Sequence, residues 1–143
     1  MEAARTLQPL AVVEDSDEDF EALSRVLRET ASEQGVRRYI NGEDAISGLI
    51  GGDDARPALI ILDLNLPGIR GMEVLAKLKG DARLRVVPVV VLSGSSREED
   101  IDAAYEAGAN AYLSKPLDFT ELRRIVLSLH DFWQIATLPG RGQ

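Results

Sequence analysis

The segment that decides the fold is LIILDLNLPGIRG, residues 59–71. It joins four consecutive aliphatic residues to Asp63 and continues through a Pro-Gly pair to a second glycine. Consecutive apolar residues are typical of a strand buried on both faces, as in a parallel sheet. Asp63 is then either an ordinary turn residue or a carboxylate that the strand holds at its tip.

Four further segments predict strands, and helical patterns alternate with all five. Besides ALIIL (58–62), the strand candidates are LAVV (10–13) and VVPVVVL (86–92), with weaker ones at VRRYI (36–40) and NAYLS (110–114). Apolar residues at intervals of three and four indicate five helices, with the stripes Phe20-Leu23-Leu27-Ala31, Ala45-Ile46-Leu49-Ile50, Met72-Leu75-Leu78, Ile101-Ala104-Tyr105-Gly108 and Leu122-Ile125-Val126-Leu129-Trp133. Five β-α repeats predict an α/β fold with a doubly wound parallel sheet between two helix layers.

Helix-end signals accompany these patterns. Ser16 or Asp17 is a candidate N-cap of the first helix, and Gly35 is its candidate end. Gly80 is expected to end the third helix.

Composition narrows the possible functions. The 143 residues favour one domain, expected at 9–133, with a flexible N-terminus at 1–8 and a C-terminal arm at 134–143. A net charge of −8 makes nucleic acid an unsuitable partner, and the absence of cysteine excludes thiolate chemistry. No signal peptide or membrane span is visible in the sequence, so we expect a soluble, cytoplasmic protein.

Polar residues follow the strongest strands at one edge of the predicted sheet. Glu14 and Asp15 end the first strand, Asp63 the third, Ser93 the fourth, and Lys115 the last. Clustered carboxylates repel one another, and a divalent cation such as Mg²⁺ relieves that repulsion. With a hydroxyl and a lysine to contact phosphate oxygens, the set predicts a phosphoryl-transfer site.

Each of these residues also has an ordinary structural interpretation. The acidic pair after the first strand can open a loop and favour a helix N-terminus. Asp63 can serve a turn, Ser93 a loop or helix cap, and Lys115 the solvated surface. Only their joint position at one edge favours the phosphoryl-transfer site.

Four motifs resemble the receiver domain of response regulators, the phosphoacceptor half of two-component signalling. They are VVEDSDEDF (12–20), LIILDLNLPGIRG (59–71), PVVVLSGSS (88–96) and AGANAYLSKPL (107–117), and the resemblance spans roughly residues 9–130. It implies a flavodoxin-like sheet in the order 2-1-3-4-5.

The resemblance also implies residue roles. Asp63 becomes the phosphoacceptor, and Asp15, Asp63 and the backbone carbonyl of Asn65 ligate Mg²⁺ while Glu14 holds a metal-bound water. Ser93 contacts the phosphoryl group, and Lys115 pairs with the acceptor and then with the phosphate. The bond from Lys115 to the following proline is expected to be cis. Tyr112 is expected to turn inward as Ser93 moves, although simple strand packing also explains it.

The tail DFWQIATLP (131–139) is similar to the ends of small response regulators that serve phytochrome-type photoreceptor histidine kinases. It implies such a kinase as partner and a homodimer, because an apolar arm marks an interface unless it folds back on its own domain. The expected dimer residues are Ile101, Tyr105, Leu122, Phe132, Trp133 and Leu138. His130 is interpreted as a surface or interface residue, not as a phosphodonor.

Three functions compete at this point. The first is a phosphorylation-controlled switch that is no enzyme beyond its own phosphorylation and dephosphorylation. The second, a Mg²⁺-dependent phosphohydrolase, commonly needs a second aspartate where Asn65 stands. The third is a constitutive dimeric binding module, which the presence of every phosphorylation residue disfavours.

Overall fold

The structure of the chain, a computed structural model, describes residues 9–30 and 35–136. The strands are β1 (Leu10–Val13), β2 (Val36–Tyr39), β3 (Leu59–Leu62), β4 (Val89–Ser93) and β5 (Ala111–Ser114). The helices are α1 (Asp17–Glu29), α2 (Gly42–Leu49), α3 (Gly71–Gly80), α4 (Glu98–Glu106) and α5 (Phe119–Ile135). No helix in these described ranges is long and apolar enough to cross a membrane.

The five strands form one parallel sheet in the order β2-β1-β3-β4-β5. The predicted fold class and strand order are therefore confirmed. Val13 pairs with Leu62, so the residues that follow, Glu14 and Asp63, leave adjacent strands side by side. The register thus brings two sequence-distant carboxylates together at the carboxyl edge of the sheet.

Helices cover both faces of the sheet, as the alternation predicted. One core cluster joins the sheet to α2, α3 and α4 and includes Leu49, Val74 and Leu78. The other joins it to α1 and α5 and includes Val26 and Val126. Because β1, β3 and β4 are buried on both faces, their backbones form a rigid platform for the residues at their ends.

The ends of α1 show where local sequence signals succeed and fail. Ser16 is its N-cap, since its Oγ accepts a hydrogen bond from the Asp19 N–H at 3.1 Å. The prediction that Gly35 ends the helix is wrong. The helix ends at Glu29, Thr30 caps it by donating its hydroxyl to the Leu27 carbonyl, and the Gly35 carbonyl already accepts from β1.

The other boundaries shift by a few residues. The predicted strand 86–92 begins at Val89, after the proline that cannot donate to the ladder, and ends at Ser93. Ile40 and Asn110 lie just outside β2 and β5. Gly80 is the last residue of α3, as expected.

Candidate functional site

Asp63 sits at the tip of β3 and is 5% exposed. Its N–H donates to the Val13 carbonyl at 3.1 Å, and its Oδ1 accepts from the Asn65 N–H at 3.0 Å. The loop then returns closely enough that a Cβ at Gly71 would collide with the backbone of Asp63 and Leu64. Residues 59–71 thus place the Asp63 carboxylate at the strand tip and form a turn after it, and Gly71 permits the close approach of the two backbone segments.

The Lys115 ammonium reaches across the sheet edge to three carboxylates. Its Nζ lies 2.8 Å from Glu14 Oε1, 2.7 Å from Asp19 Oδ2 and 3.0 Å from Asp63 Oδ2. The Lys115 N–H continues the ladder by donating to the Ser93 carbonyl at 2.7 Å, which fixes the backbone below the side chain. The lysine therefore lies at the centre of the carboxylate cluster and is not a solvated surface residue.

Glu14, Asp15 and Asp63 form an acidic triad. One ligand atom from each lies within 4.8 Å of the other two. Glu14 and Asp63 are buried, whereas Asp15 is exposed to solvent. An all-oxygen set of this kind suits a hard divalent cation, which keeps some water ligands at the open side. The Asn65 carbonyl stays a predicted ligand.

Burial and charge shift the protonation of the site. Burial raises the pKa of Glu14 to about 7, assisted by the neighbouring Asp63 charge and opposed by the hydrogen bond from Lys115. Burial alone would lower the pKa of Lys115, but its three carboxylate partners outweigh that effect and raise it above the ordinary lysine value. The site thus keeps one permanent cation among carboxylates, as phosphate binding requires.

Ser93 is 2% exposed and ends β4 beside the triad. Its Oγ accepts from the Ser95 N–H at 3.3 Å, and the Tyr112 hydroxyl donates to the Ser95 carbonyl at 2.8 Å. The Tyr112 N–H in turn donates to the Tyr105 hydroxyl at 3.1 Å. Tyr112 is therefore bonded to the loop that Ser93 begins.

The loops after β3 and β4 enclose a cleft of about 260 Å³. Its lining is Leu64, Asn65, Arg70, Met72, Ser93, Gly94, Ser95 and Asp100. The cleft reaches Ser93, whereas Asp63 and Lys115 line a separate, smaller cavity.

Two charged residues that contact the site were not predicted from the sequence. Asp19 contacts Lys115 from the first turn of α1. Arg38, on β2, donates from Nε to the Glu14 carbonyl at 3.0 Å and pairs with Asp17 at 2.8 Å. The acidic first turn that follows the N-cap candidate Ser16 was a signal for Asp19, whereas only the strand order places Arg38.

The expected dimer residues divide into groups. Phe132 and Tyr105 are exposed, at 62% and 48%, while Ile101 and Leu122 are half-buried. Trp133 is 8% exposed and packs in the α1–α5 core, as its place in the fifth helical stripe predicted, so it does not present the free apolar surface that its expected dimer role needs. It lies seven residues after Val126 and therefore on the same buried helix face. Leu138 lies outside the described residues.

The expected cis bond before Pro116 is also wrong. The described residues contain no cis peptide bond. The trans form of a bond to proline is the lower in energy, by about 0.5–1 kcal/mol, unless the surrounding structure enforces cis.

Comparison with known proteins agrees with this geometry. The family model of the response regulator receiver domain matches residues 10–127. The chain belongs to the response regulator receiver family. The receiver fold confirms the resemblance that the four motifs predicted.

Two solved structures are similar to this receiver over almost its whole length. The Mn²⁺-bound form of the response regulator Rcp1 has a TM-score of 0.88 at 36% identity, covering 93% of this chain and 99% of that one. The phosphorylated cyanobacterial phytochrome response regulator RcpA has the same TM-score and identity, covering 94% and 99%. One relative therefore holds a divalent cation, and another carries a phosphoryl group.

Sequence relatives differ in length. Rcp1 of Synechocystis sp. is 36% identical over 136 residues, which is 92% of each chain. The probable methanogenesis regulatory protein FilR2 of Methanothrix harundinacea is 43% identical over 83 residues, 58% of this chain. The receiver spans 54% of FilR2 and thus about half the length of that relative.

Proposed function

We propose that the protein is a phosphorylation-controlled switch that accepts a phosphoryl group on Asp63 from a phosphohistidine of a sensor histidine kinase. The observation that carries the proposal is the buried Asp63 carboxylate, paired with Lys115 at 3.0 Å inside an acidic triad. A buried carboxylate with a fixed cation and cation-binding neighbours is positioned for nucleophilic attack on phosphorus. Glu14 is also buried and paired with Lys115, at 2.8 Å, so the choice of Asp63 as the acceptor rests on the resemblance of the segment 59–71 and is tested below.

In the transfer, an Asp63 carboxylate oxygen forms a bond to phosphorus as the phosphorus–nitrogen bond to the donor imidazole breaks. The released imidazole nitrogen takes up a proton from solvent. Lys115 and Ser93 contact phosphoryl oxygens and offset the charge that builds on them. Asp63 is consumed and later restored by hydrolysis, so the protein turns over no separate substrate and is not an enzyme in that sense.

Mg²⁺ is the cation that we assign to the triad. Glu14, Asp15, Asp63 and the Asn65 carbonyl are the residues that would hold it. The ion supplies charge neutralisation between the carboxylates and the incoming phosphoryl group. The oxygen-only donor set and the exposed position of Asp15 support the assignment.

We further propose that the kinase is of the phytochrome type and that transfer occurs in the cytoplasm. The support is the similarity to RcpA, a cyanobacterial phytochrome response regulator, over 94% of the chain. Ser93 and Tyr112 are the proposed switch, because the Tyr112 hydroxyl already reaches the loop that Ser93 begins. Phosphorylation then biases two arrangements of that loop.

Intact-mass spectrometry after incubation with Mg²⁺ and acetyl phosphate tests the acceptor. Wild type should gain one phosphoryl group, and Asp63→Asn should gain none. Asp102→Asn, an exposed aspartate on α4, is the matched control and should behave as wild type. An adduct that persists in Asp63→Asn, or no adduct in wild type with hydrolysis suppressed, contradicts the proposal.

We also propose a homodimer through α4, β5 and α5. Phe132 and Ile135 are 62% and 81% exposed on the last turn of α5, which is more apolar surface than a solvated helix end needs. Sedimentation equilibrium should show dimers that Phe132→Ser with Ile135→Ser shifts at least tenfold toward monomer. Val86→Ser, an exposed valine before β4, is the control. A monomeric wild type at high concentration, with and without acetyl phosphate, rules the dimer out.

A further inference from the structure

All hydrogen-bond donors of the Lys115 ammonium are occupied. A lysine ammonium has three N–H donors, and Nζ has three carboxylate partners between 2.7 and 3.0 Å away, on Glu14, Asp19 and Asp63. A phosphoryl oxygen can bind Lys115 only if one of these partners leaves. The identity of the leaving partner therefore affects how strongly the site binds a phosphoryl group.

Asp19 differs from the other two partners. Its side chain is 45% exposed, against 7% for Glu14 and 6% for Asp63. A carboxylate released into water recovers its hydration, whereas a buried one left alone does not. Asp19 also stands outside the acidic triad, so it is the one Lys115 partner that does not belong to the candidate cation site.

The space around Lys115 permits such an exchange. A cavity of about 50 Å³ adjoins the cluster and is lined by Lys115 and all three of its carboxylate partners, together with residues such as Leu23 and Leu122. This volume exceeds the roughly 10–15 Å³ that one water molecule requires. A water molecule can therefore solvate a carboxylate that Lys115 releases.

We propose that Asp19 is a positioning residue that holds one Lys115 donor in the resting state and surrenders it to the phosphoryl group. This inference rests on the proposed function, because it concerns how the same site binds phosphate. Asp19 then competes with the phosphoryl oxygens for Lys115. Removing its carboxylate charge should weaken that competition and strengthen phosphoryl binding.

Beryllofluoride, a phosphoryl mimic that binds carboxylates, tests the competition at equilibrium. Its affinity is measured by calorimetry at saturating Mg²⁺. We expect Asp19→Asn to bind it roughly three- to tenfold more tightly than wild type, and Asp19→Ala at least as tightly as Asp19→Asn. Glu18→Gln is the matched control, since it removes one acidic charge from the same helix turn at an exposed residue. It should stay within twofold of wild type.

The possible failures are distinguishable. Wild type that binds no beryllofluoride contradicts the proposed function itself. Wild type that binds, with Asp19→Asn equal to it, weaker than it, or no tighter than Glu18→Gln, overturns the role of Asp19. Thermal unfolding of each variant verifies the fold. In a Lys115→Gln background the gain from Asp19→Asn should disappear, because Asp19 acts through the lysine.

Discussion

Two partly buried lysines occupy opposite ends of the sheet with similar geometry and different chemistry. Lys115, at the carboxyl edge, contacts three carboxylates. Lys79, on the last turn of α3, lies where β4 and β5 begin. It donates to the carbonyls of Arg85 at 3.1 Å and Val87 at 2.9 Å and to the Asn110 Oδ1 at 3.1 Å.

The difference is the charge of the acceptors. Burial lowers the pKa of Lys79, because its neutral acceptors do not compensate for lost hydration. The pKa of Lys115 is raised despite its burial, because its acceptors are anionic. An ammonium held by neutral oxygens links loops together, whereas one held by carboxylates can exchange them for phosphate. Hydrogen-bond count alone would not separate these two roles.

The largest expected effect is on phosphoryl binding, which should depend on Lys115 and not on Lys79. Lys115→Met should weaken beryllofluoride binding by about 100-fold or more, since a preorganised cationic donor to the phosphoryl oxygens is lost. Lys79→Met, at the far end of the sheet, should leave that affinity within about twofold. Calorimetry at saturating Mg²⁺ measures both. Equal losses in the two variants would mean that Lys115 acts only through folding.

The next largest expected effect is on the free energy of unfolding, to which Lys79 should contribute. Lys79→Met leaves the carbonyl of buried Val87, and the acceptors on exposed Arg85 and Asn110, with one donor fewer each. It should lower the free energy of unfolding by about 2 kcal/mol, most of it from the Val87 carbonyl. Lys77→Met, an exposed lysine on the same helix, should change it by less than about 0.5 kcal/mol. Urea unfolding followed by circular dichroism measures the difference. If Lys79→Met is as stable as Lys77→Met, the three hydrogen bonds contribute nothing.

The sequence predicted the two ends of the sheet unequally. Glu14, Asp63, Ser93 and Lys115 each directly follow a predicted strand, so the parallel topology alone placed them at one edge. Lys79 lies within a helix, and its three acceptors come from two different loops. No spacing rule connects residues that only tertiary packing brings together.

Asp19 and Trp133 were misjudged for the same reason, because tertiary packing decides their surroundings. Asp19 was visible as an acidic first-turn residue, but its contact with Lys115 depends on how α1 packs across the sheet, 96 residues away in sequence. Trp133 was predicted both as the last residue of the fifth helical stripe and as a dimer residue of the apolar tail. The α1–α5 core buries it, so the helical stripe was the correct interpretation.

The smallest expected effect concerns the stability that the protein loses by burying the carboxylate of Glu14 beside Lys115. The folded-state pKa of Glu14, about 7, lies above its ordinary value of 4.5. The folded protein therefore binds more protons than the unfolded chain between these values. Stability from this group is fully present below about pH 4.5 and is lost as the pH rises through about 7.

Glu14→Gln should consequently stabilise the cation-free protein at pH 8, by about 1–2 kcal/mol, because the amide removes a buried charge without changing size. The gain should shrink to near zero at pH 5, where Glu14 is itself mostly neutral in the folded protein. Urea unfolding in a chelator at the two pH values measures this, with Glu18→Gln as the exposed control. If Glu14→Gln is no more stable than wild type at pH 8, Lys115 neutralises the buried charge of Glu14 fully. The carboxylate cluster would then impose no stability cost, and the contrast with Lys79 would reduce to phosphate binding alone.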